Sequence, residues 1–281
     1  MIEREKLSNP KAATKTLFYM VLILFSFFMI IPFLWMISTS LKLNQYVLSI
    51  PPRLIPEKIT ITNYLRLTEI FPMTRIVFNS LFVAVTMTTG QVFVSSMAAY
   101  AFARMKFRGK SAIFLLYLAT LMIPFQVIIT TLFILMRYLR WTNTYQALIF
   151  PGIFNAFGTF LLRQFLLPLP RDLEESAFLD GANHFMVYWR IILPLAKPAL
   201  ATLAVLAYME AWNSFLWPLM VIRDTGRMTL PVGLATLHGR YLTEWNLVMA
   251  GAVITVVPMI IVFLLAQKYF VKGIAQSGLK Q

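Results

Sequence analysis

Five long stretches of this 281-residue chain contain no charged residue, and they restrict its possible folds more than any other feature. They cover residues 16–41, 76–103, 111–136, 141–162 and 245–267, and a sixth stretch, 198–222, is interrupted only by Glu210. A helix needs about 20 apolar residues to cross a hydrocarbon layer of about 30 Å, so each stretch can span a membrane. The stretches are continuously apolar rather than alternating, which favours helices over barrel strands.

The sequence therefore predicts an all-α integral membrane protein with six transmembrane helices. Their expected positions are residues 17–40, 76–103, 111–136, 141–163, 198–222 and 245–268. The first stretch is too long for the apolar core of a signal peptide and lacks a small-residue cleavage site after it, so we expect a permanent anchor. We expect residues 1–15 to form a short segment before the transmembrane domain, residues 16–270 to form that domain, and residues 271–281 to form a tail after it.

Composition supports a membrane protein and gives its orientation. Charged residues make up 13% of the chain, against about 25% in a typical soluble domain. The net charge of +14 could suggest nucleic-acid binding, but the basic residues lie between apolar stretches instead of forming stripes. Of the 25 Lys and Arg residues, 15 fall on the side of the N-terminus, including the tight cluster in 104–110. The positive-inside rule then places both termini in the cytoplasm, and we expect no nucleic-acid partner.

Catalytic and metal-binding residue types are scarce. The chain has no cysteine and only two histidines, His184 and His238, so neither a thiolate centre nor a histidine-rich metal site is expected. No His-Glu-x-x-His motif and no Gly-x-x-x-x-Gly-Lys-Ser/Thr phosphate loop occurs. We therefore predict no catalytic residue, no metal and no cofactor.

The most polar element is the segment that connects the fourth and fifth spans, residues 168–197. Within it, residues 172–194, called the elbow below, predict two short helices separated by a glycine. Asp172 and Glu175 have the spacing of a capping box, so a helix is expected over 173–180, with Gly181 ending it in a left-handed turn. A second helix is expected over 184–193, closed by Pro194. Residue chemistry alone leaves two interpretations equally open: a docking element for a cytoplasmic partner, or a solvated connector.

The elbow resembles the cytoplasmic signature of binding-protein-dependent ABC importer permeases. That signature is Glu-Ala-Ala, three residues, Gly, nine residues and Ile-x-Leu-Pro. This chain matches its spacing with Glu175, Ser176, Ala177, Gly181, Ile191, Leu193 and Pro194, and departs from it only in Ser176. Asp180 and Ala182 flank the glycine. The resemblance implies that these nine residues form a coupling helix seated on a separate ATPase subunit.

Further motifs extend the resemblance over nearly the whole chain, in particular to the second permease subunit of maltose-type carbohydrate importers. They are Asn79-Ser80-Leu81, the run 99–104 (Ala-Tyr-Ala-Phe-Ala-Arg), Trp212-Asn213-x-Phe215-Leu216 and the run 229–234 (Thr-Leu-Pro-Val-Gly-Leu). The resemblance implies the type I importer permease fold and half of a sugar translocation pathway. It also implies a second homologous permease, two ATPases and an extracytoplasmic sugar-binding protein as partners. The location it implies is the inner or plasma membrane of a bacterium or archaeon.

Polar residues within the spans are candidates for the translocation path. Glu210 lies at membrane depth, where a carboxylate costs about 2.5–3.5 kcal/mol on insertion scales, so it should face protein or a wet cavity. Together with Trp212 and Asn213 it either lines the path or forms interhelical hydrogen bonds, and we favour the second role. Gln126, after the helix-bending Pro124, is a weaker path candidate.

The last external loop is a candidate for contact with the binding protein. This hypothesis rests on Leu237, His238, Gly239, Arg240 and Tyr241, and the alternative is an ordinary solvent loop. A self-sufficient secondary transporter or channel is the main competing function. Such a protein would be expected to show several ionisable residues within the membrane, or inverted repeats, and the sequence shows one glutamate and no evident repeat.

Overall fold

The apolar stretches form helices in the computed structural model, which describes residues 10–237 and 243–278, with side chains left out for 10–13, 266 and 268–278. The α-helices are α1 Pro10–Ser40, α2 Thr62–Ile70, α3 Met73–Arg104, α4 Lys110–Ala119, α5 Phe125–Tyr138, α6 Tyr145–Ile153, α7 Ala156–Leu166, α8 Asp172–Leu179, α9 His184–Val187, α10 Leu193–Leu195, α11 Lys197–Asn213, α12 Leu216–Val221, α13 Leu230–Ala235 and α14 Trp245–Gly278. The described residues contain no strand. The all-α prediction is confirmed.

The helices fall into two compact units. The first comprises residues 1–67 and 237–254, and the second comprises 68–236 and 255–281. Within the described residues, four helices are long and apolar enough to cross a membrane, and the number rises to six if two bent helix pairs each count as one span. The six-span arrangement therefore stays a prediction.

The predicted third span, 111–136, is not one straight helix. α4 continues as a 3-10 turn to Met122, α5 begins at Phe125, and the two directions differ by 99°. Pro124 explains the break, because proline has no N–H to donate and disfavours helical backbone in the residue before it. Ile123 accordingly has extended angles (φ −89°, ψ 113°).

The predicted fifth span, 198–222, is also interrupted. α11 ends at Asn213, and α12 starts at Leu216 because the backbone of Ser214 is extended (ψ 121°). Before α11, the chain turns by 78° at Ala196. The fourth stretch begins at Tyr145 rather than 141, where the hydroxyl of Thr144 accepts a hydrogen bond from the N–H of Ala147.

The terminal helices are longer than predicted. α1 begins at Pro10, within the segment expected to precede the first span, and residues 11–15 (Lys-Ala-Ala-Thr-Lys) contain no residue that stops a helix. α14 continues to Gly278, so most of the predicted tail, 271–281, is helical. Boundaries drawn from charge alone mark where a helix leaves the apolar layer and not where it ends.

In the first unit, buried amides hold the C-terminal end of α1. The side-chain amide of Asn63, on α2, donates to the carbonyl oxygens of Ser40 (2.7 Å) and Lys42 (2.8 Å). The Asn246 amide at the start of α14 donates to the Asn63 side-chain oxygen at 2.8 Å. Three segments distant in sequence are thereby joined at one asparagine.

In the second unit, α3 is the central helix. It packs most extensively against α7, α11 and α6. Close approach to α7 depends on Gly158, where an added Cβ would lie 2.7 Å from the Ser95 hydroxyl and 3.1 Å from Leu203. The small residues Ala99 and Ala103 are almost completely buried on the same helix. This helix positions the elbow described next.

Candidate functional site

The first helix of the elbow, α8, starts one residue earlier than predicted and ends one residue earlier, at Leu179. Asp172 lies inside the first turn, and Arg171 occupies the cap position without a side-chain hydrogen bond, so the predicted capping box is wrong. Asp172, Glu174 and Glu175 instead place three carboxylates in the first turn. Negative charge there interacts favourably with the partial positive charge of the helix N-terminus.

The turn after α8 requires Gly181. Its φ is +84°, in the left-handed region that favours glycine. The N–H of Ala182 donates to the Ala177 carbonyl (2.9 Å), and the N–H of Gly181 donates to the Phe178 carbonyl (3.1 Å). These two bonds define a Schellman motif, which satisfies the last carbonyls of the helix. No atom lies within 4 Å of a Cβ added at Gly181, so its backbone angle, and not crowding within the chain, demands glycine.

The second half of the elbow differs from the prediction at Pro194. The side-chain oxygen of Asn183 accepts from the N–H of Met186 (2.8 Å) and starts α9. Residues Tyr188–Ile192 then form a π turn, in which the N–H of Leu193 bonds to the Tyr188 carbonyl. Pro194 lies within the following turn, and the helix continues to Leu195, so Pro194 does not end it.

Three side-chain contacts join the elbow to α3. The hydroxyls of Ser96 and Tyr188 are 2.6 Å apart, and the Tyr100 hydroxyl is 3.2 Å from Nδ1 of His184. Arg104 Nε lies 3.0 Å from Oε1 of Glu174. The α3 residues are Ser96, Tyr100 and Arg104; because they are four residues apart, they lie on one face of the helix. We call these three contacts the ladder.

The Arg104–Glu174 contact is a buried ion pair. The two side chains are 3% and 8% exposed. The Arg104 Nε–H is not aligned on the carboxylate as a hydrogen bond would be, whereas Nη2 donates to the Leu169 carbonyl at 2.7 Å. Burial raises the pKa of Glu174 above its ordinary value, and the Arg104 charge opposes this increase. Glu174 was not among the predicted coupling residues, because adjacent glutamates look alike until the helix phase is known.

An apolar cluster surrounds the ladder. It contains Ala99, Tyr100, Ala103, Leu162, Leu166, Val187, Tyr188, Ile192, Ala196, Ala199 and Leu203. Four of the predicted coupling residues, Ala177, Ala182, Ile191 and Leu193, are partly buried against it. The small side chain of Ala177 therefore allows the elbow to pack closely against the rest of this chain.

The other predicted coupling residues face outward. Glu175, Ser176, Asp180, Gly181 and Pro194 are exposed. Two large apolar side chains that the sequence analysis did not select accompany them: Leu179 is 89% exposed and Phe185 is 65% exposed. The sequence signal that could have found both residues is the presence of large apolar side chains in a segment expected to lie in water. The outer face of the elbow combines carboxylates with an apolar tip.

The predicted path residues are divided between surface and core. Glu210, Asn213 and Gln126 are exposed, and the Asn213 amide donates to the Met209 carbonyl of its own helix. Trp212 is 1% exposed, stacks on Tyr208, and donates its indole N–H to the Thr255 carbonyl (3.2 Å). Its indole contacts its own chain and lines no surface in this conformation.

The predicted binding-protein contact falls largely outside the described residues. Leu237, at the end of the described stretch, is partly buried, and His238, Gly239, Arg240 and Tyr241 are not described. No group of three or more His, Cys, Asp or Glu residues that could hold a metal ion occurs in 10–237 or 243–278.

The N-terminal end of α3 brings two of the sequence motifs together. The buried Asn79 amide donates to the carbonyls of Gly226 and Met228, both at 3.0 Å, and its oxygen accepts from the Tyr145 hydroxyl at 2.7 Å. The N–H of Leu230, at the start of α13, donates to the Ser80 hydroxyl at 2.6 Å. The motifs at 79–81 and 229–234 thus form one contact.

Comparison with known proteins identifies the family. Residues 91–276 match the family of binding-protein-dependent transport system inner membrane components, and the chain belongs to this family. It is 36% identical to the arabinooligosaccharides transport system permease protein AraQ of Bacillus subtilis (strain 168), over 94% of both chains. It is 37% identical to the trehalose/maltose transport system permease protein MalG of Thermococcus litoralis, over 92% of this chain and 94% of that one.

A solved structure confirms the fold. The chain resembles one from the crystal structure of a bacterial ABC transporter involved in the import of the acidic polysaccharide alginate. The TM-score is 0.81 at 24% identity, covering 95% of this chain and 99% of the other. The predicted permease fold is confirmed. The family match and the permease relatives confirm the role as a transport component and not an enzyme.

Proposed function

We propose that this chain is a permease subunit of an ATP-driven sugar importer, forming half of its translocation pathway. Support for the solute class comes from the two relatives, which belong to systems named for arabinooligosaccharides and for trehalose and maltose. Both align over more than nine tenths of this chain. An oligosaccharide or disaccharide is therefore the expected solute.

The chemistry of the outer face of the elbow supports the proposal that an ATPase docks there. Leu179 projects almost fully into solvent beside the exposed carboxylates of Glu175 and Asp180. A large apolar side chain rimmed by charges is typical of a protein interface. Since the sequence has no phosphate-binding loop, the energy for transport must come from a partner that has one.

The full assembly follows from this assignment. It comprises a second homologous permease, two ATPases and an extracytoplasmic sugar-binding protein, located in the inner or plasma membrane of a bacterium or archaeon. With both termini in the cytoplasm and six spans, the elbow faces the ATPases, and the segment that includes 237–241 faces the binding protein. The basic cluster in 104–110 supports this orientation.

Glu210 and Asn213 are proposed to face the path. The sequence favoured interhelical hydrogen bonds for these residues, but both are exposed on α11 and the Asn213 amide bonds to its own helix, which supports the path instead. An exposed carboxylate at membrane depth is stable only against a wet cavity or another protein. Gln126 is exposed in the first turn of α5, directly after the bend. Trp212 would act indirectly, by packing α11 against Thr255.

A pull-down from detergent-solubilised membranes tests the docking assignment. The tagged chain should recover a Walker-motif ATPase and a second permease. Leu179→Asp, which places a charge at the apolar tip, should reduce ATPase recovery while retaining the second permease. Leu48→Asp is the matched control, because Leu48 is similarly exposed (79%) and lies far from the elbow in sequence. Undiminished ATPase recovery with Leu179→Asp would contradict the assignment. A wild-type chain that purifies alone and transports solute in liposomes would indicate an autonomous transporter.

A further inference from the structure

The two adjacent glutamates of α8 lie on different faces of the helix. Glu175 is exposed on the outer face of the elbow, whereas Glu174 is buried against Arg104 of α3. A single short helix thus carries an outward carboxylate for a partner and an inward carboxylate for its own chain. Any displacement imposed on the outer face reaches α3 through the inward contacts.

The inward contacts can transmit such a displacement because they are spread along α3. Ser96, Tyr100 and Arg104 occupy three successive turns and meet Tyr188, His184 and Glu174. The apolar cluster around them is close-packed, and packed cores shift between discrete arrangements instead of deforming continuously. Both halves of the elbow are held, since Tyr188 and His184 lie after Gly181 and Glu174 before it.

The opposite end of α3 is fastened as well. Asn79 and Ser80 bond to the backbone of residues 226–230. α3 contains no proline, and at 1.5 Å per residue it extends about 38 Å from Asn79 to Arg104, the outermost residues of the two sets of contacts. Both sets lie in the same compact unit, residues 68–236 and 255–281.

We infer that α3 is a strut which carries movement of the elbow to the segment 226–230, and that the Arg104–Glu174 pair is the positioning contact that connects α8 to α3. This inference rests on the proposed function, because it requires an ATPase that moves the elbow. It assigns a role to Glu174 that differs from that of Glu175. Glu175 determines whether the ATPase binds, and Glu174 determines whether its movement reaches the spans.

The test is transport by the complete complex, reconstituted in liposomes with its ATPases and binding protein. Glu174→Gln keeps the shape of the side chain and removes its charge. The variant should retain the ATPase in the complex and keep its ATP hydrolysis, while solute uptake per ATP falls about tenfold, in the range of measured coupling between sites. Asp172→Asn is the matched control, since it removes an exposed carboxylate from the same turn and should leave the ratio unchanged.

A charge exchange provides a second test. Glu174→Arg alone should abolish uptake, and combining it with Arg104→Glu should restore a substantial part of it. Normal uptake per ATP by Glu174→Gln, or no rescue by the exchange, overturns the inference while the proposed function stands. Loss of the ATPase from the Glu174→Gln complex also overturns it, since Glu174 would then act in docking. If the wild-type complex contains no ATPase, the proposed function and the inference both fail.

Discussion

The two ends of α3 are held by different chemistry. At its N-terminal end, Asn79 and Ser80 bond chiefly to backbone groups of the segment 226–230. At its C-terminal end, the ladder joins side chains to side chains, including a buried ion pair. Backbone contacts fix one geometry and depend little on which residue lies opposite. Side-chain contacts can separate and form again, so a moving element is better connected through them.

The largest expected effect is at the N-terminal end, with Asn79→Leu. Asn79 is fully buried and makes three hydrogen bonds, so leucine leaves two carbonyls and the Tyr145 hydroxyl unpaired. Each unpaired buried group costs about 1–3 kcal/mol, and we expect a loss of at least about 3 kcal/mol of stability. Thermal unfolding of the detergent-purified chain measures it. Asn213→Leu is the control, since that amide is exposed and bonds to the Met209 carbonyl of its own helix. An equal effect of the two variants would refute the role of Asn79.

A smaller effect is expected in the elbow with Gly181→Ala. Alanine fits the open space there, but it disfavours a φ of +84° by about 1–2 kcal/mol. Gly181→Asn should cost less, because asparagine tolerates the left-handed region. Hydrogen exchange of the α8 amides should be fastest in the alanine variant and intermediate in the asparagine variant. Equal exchange in both would mean that backbone strain is not the reason for glycine.

The smallest effect is expected within the ladder, with Tyr188→Phe. The change removes the 2.6 Å contact with the Ser96 hydroxyl and leaves the aromatic ring in the cluster. A neutral hydrogen bond contributes about 1 kcal/mol, which sets the expected loss. Tyr100→Phe removes the longer contact with His184 and should cost less. If Tyr100→Phe proves the more costly, the contact lengths do not rank the ladder, and thermal unfolding of both variants decides this.

The sequence predicted the helical membrane fold because charge-free stretches report directly on burial in an apolar layer. Pro124 indicated a bend, but its 99° angle was not predictable, since the angle of a bend depends on what the helix packs against. The break at Ser214 was not predicted either. In the elbow, Gly181 was predictable because a positive φ restricts the residue type. Glu174 was not predictable, because its partner Arg104 is distant in sequence. Glu174 and Glu175 are adjacent, and which of them is buried depends on the phase of the helix.

Helix phase also explains why the path candidates on α11 differ in exposure. Glu210, Trp212 and Asn213 are nearly adjacent in sequence, yet Trp212 turns into the core while the other two are exposed. A 3.6-residue repeat places neighbours on different faces, and α11 is apolar enough all round that composition does not indicate which face is inward. The packing of α11 against α3 and the hydrogen bond from the indole to Thr255 fix the orientation of the helix.

The buried Arg104–Glu174 pair also imposes an order on biosynthesis. The ribosome makes Arg104 well before Glu174, so in the proposed topology the guanidinium first stays hydrated at the cytoplasmic surface and helps to orient the second span. It can be buried only after the intervening chain has been inserted and α8 has arrived with its carboxylate. Arg104 thus helps to orient an early span and later completes the contact with the elbow. A nascent chain that stalls before α8 would leave the Arg104 charge exposed and unpaired, which distinguishes it from the finished protein.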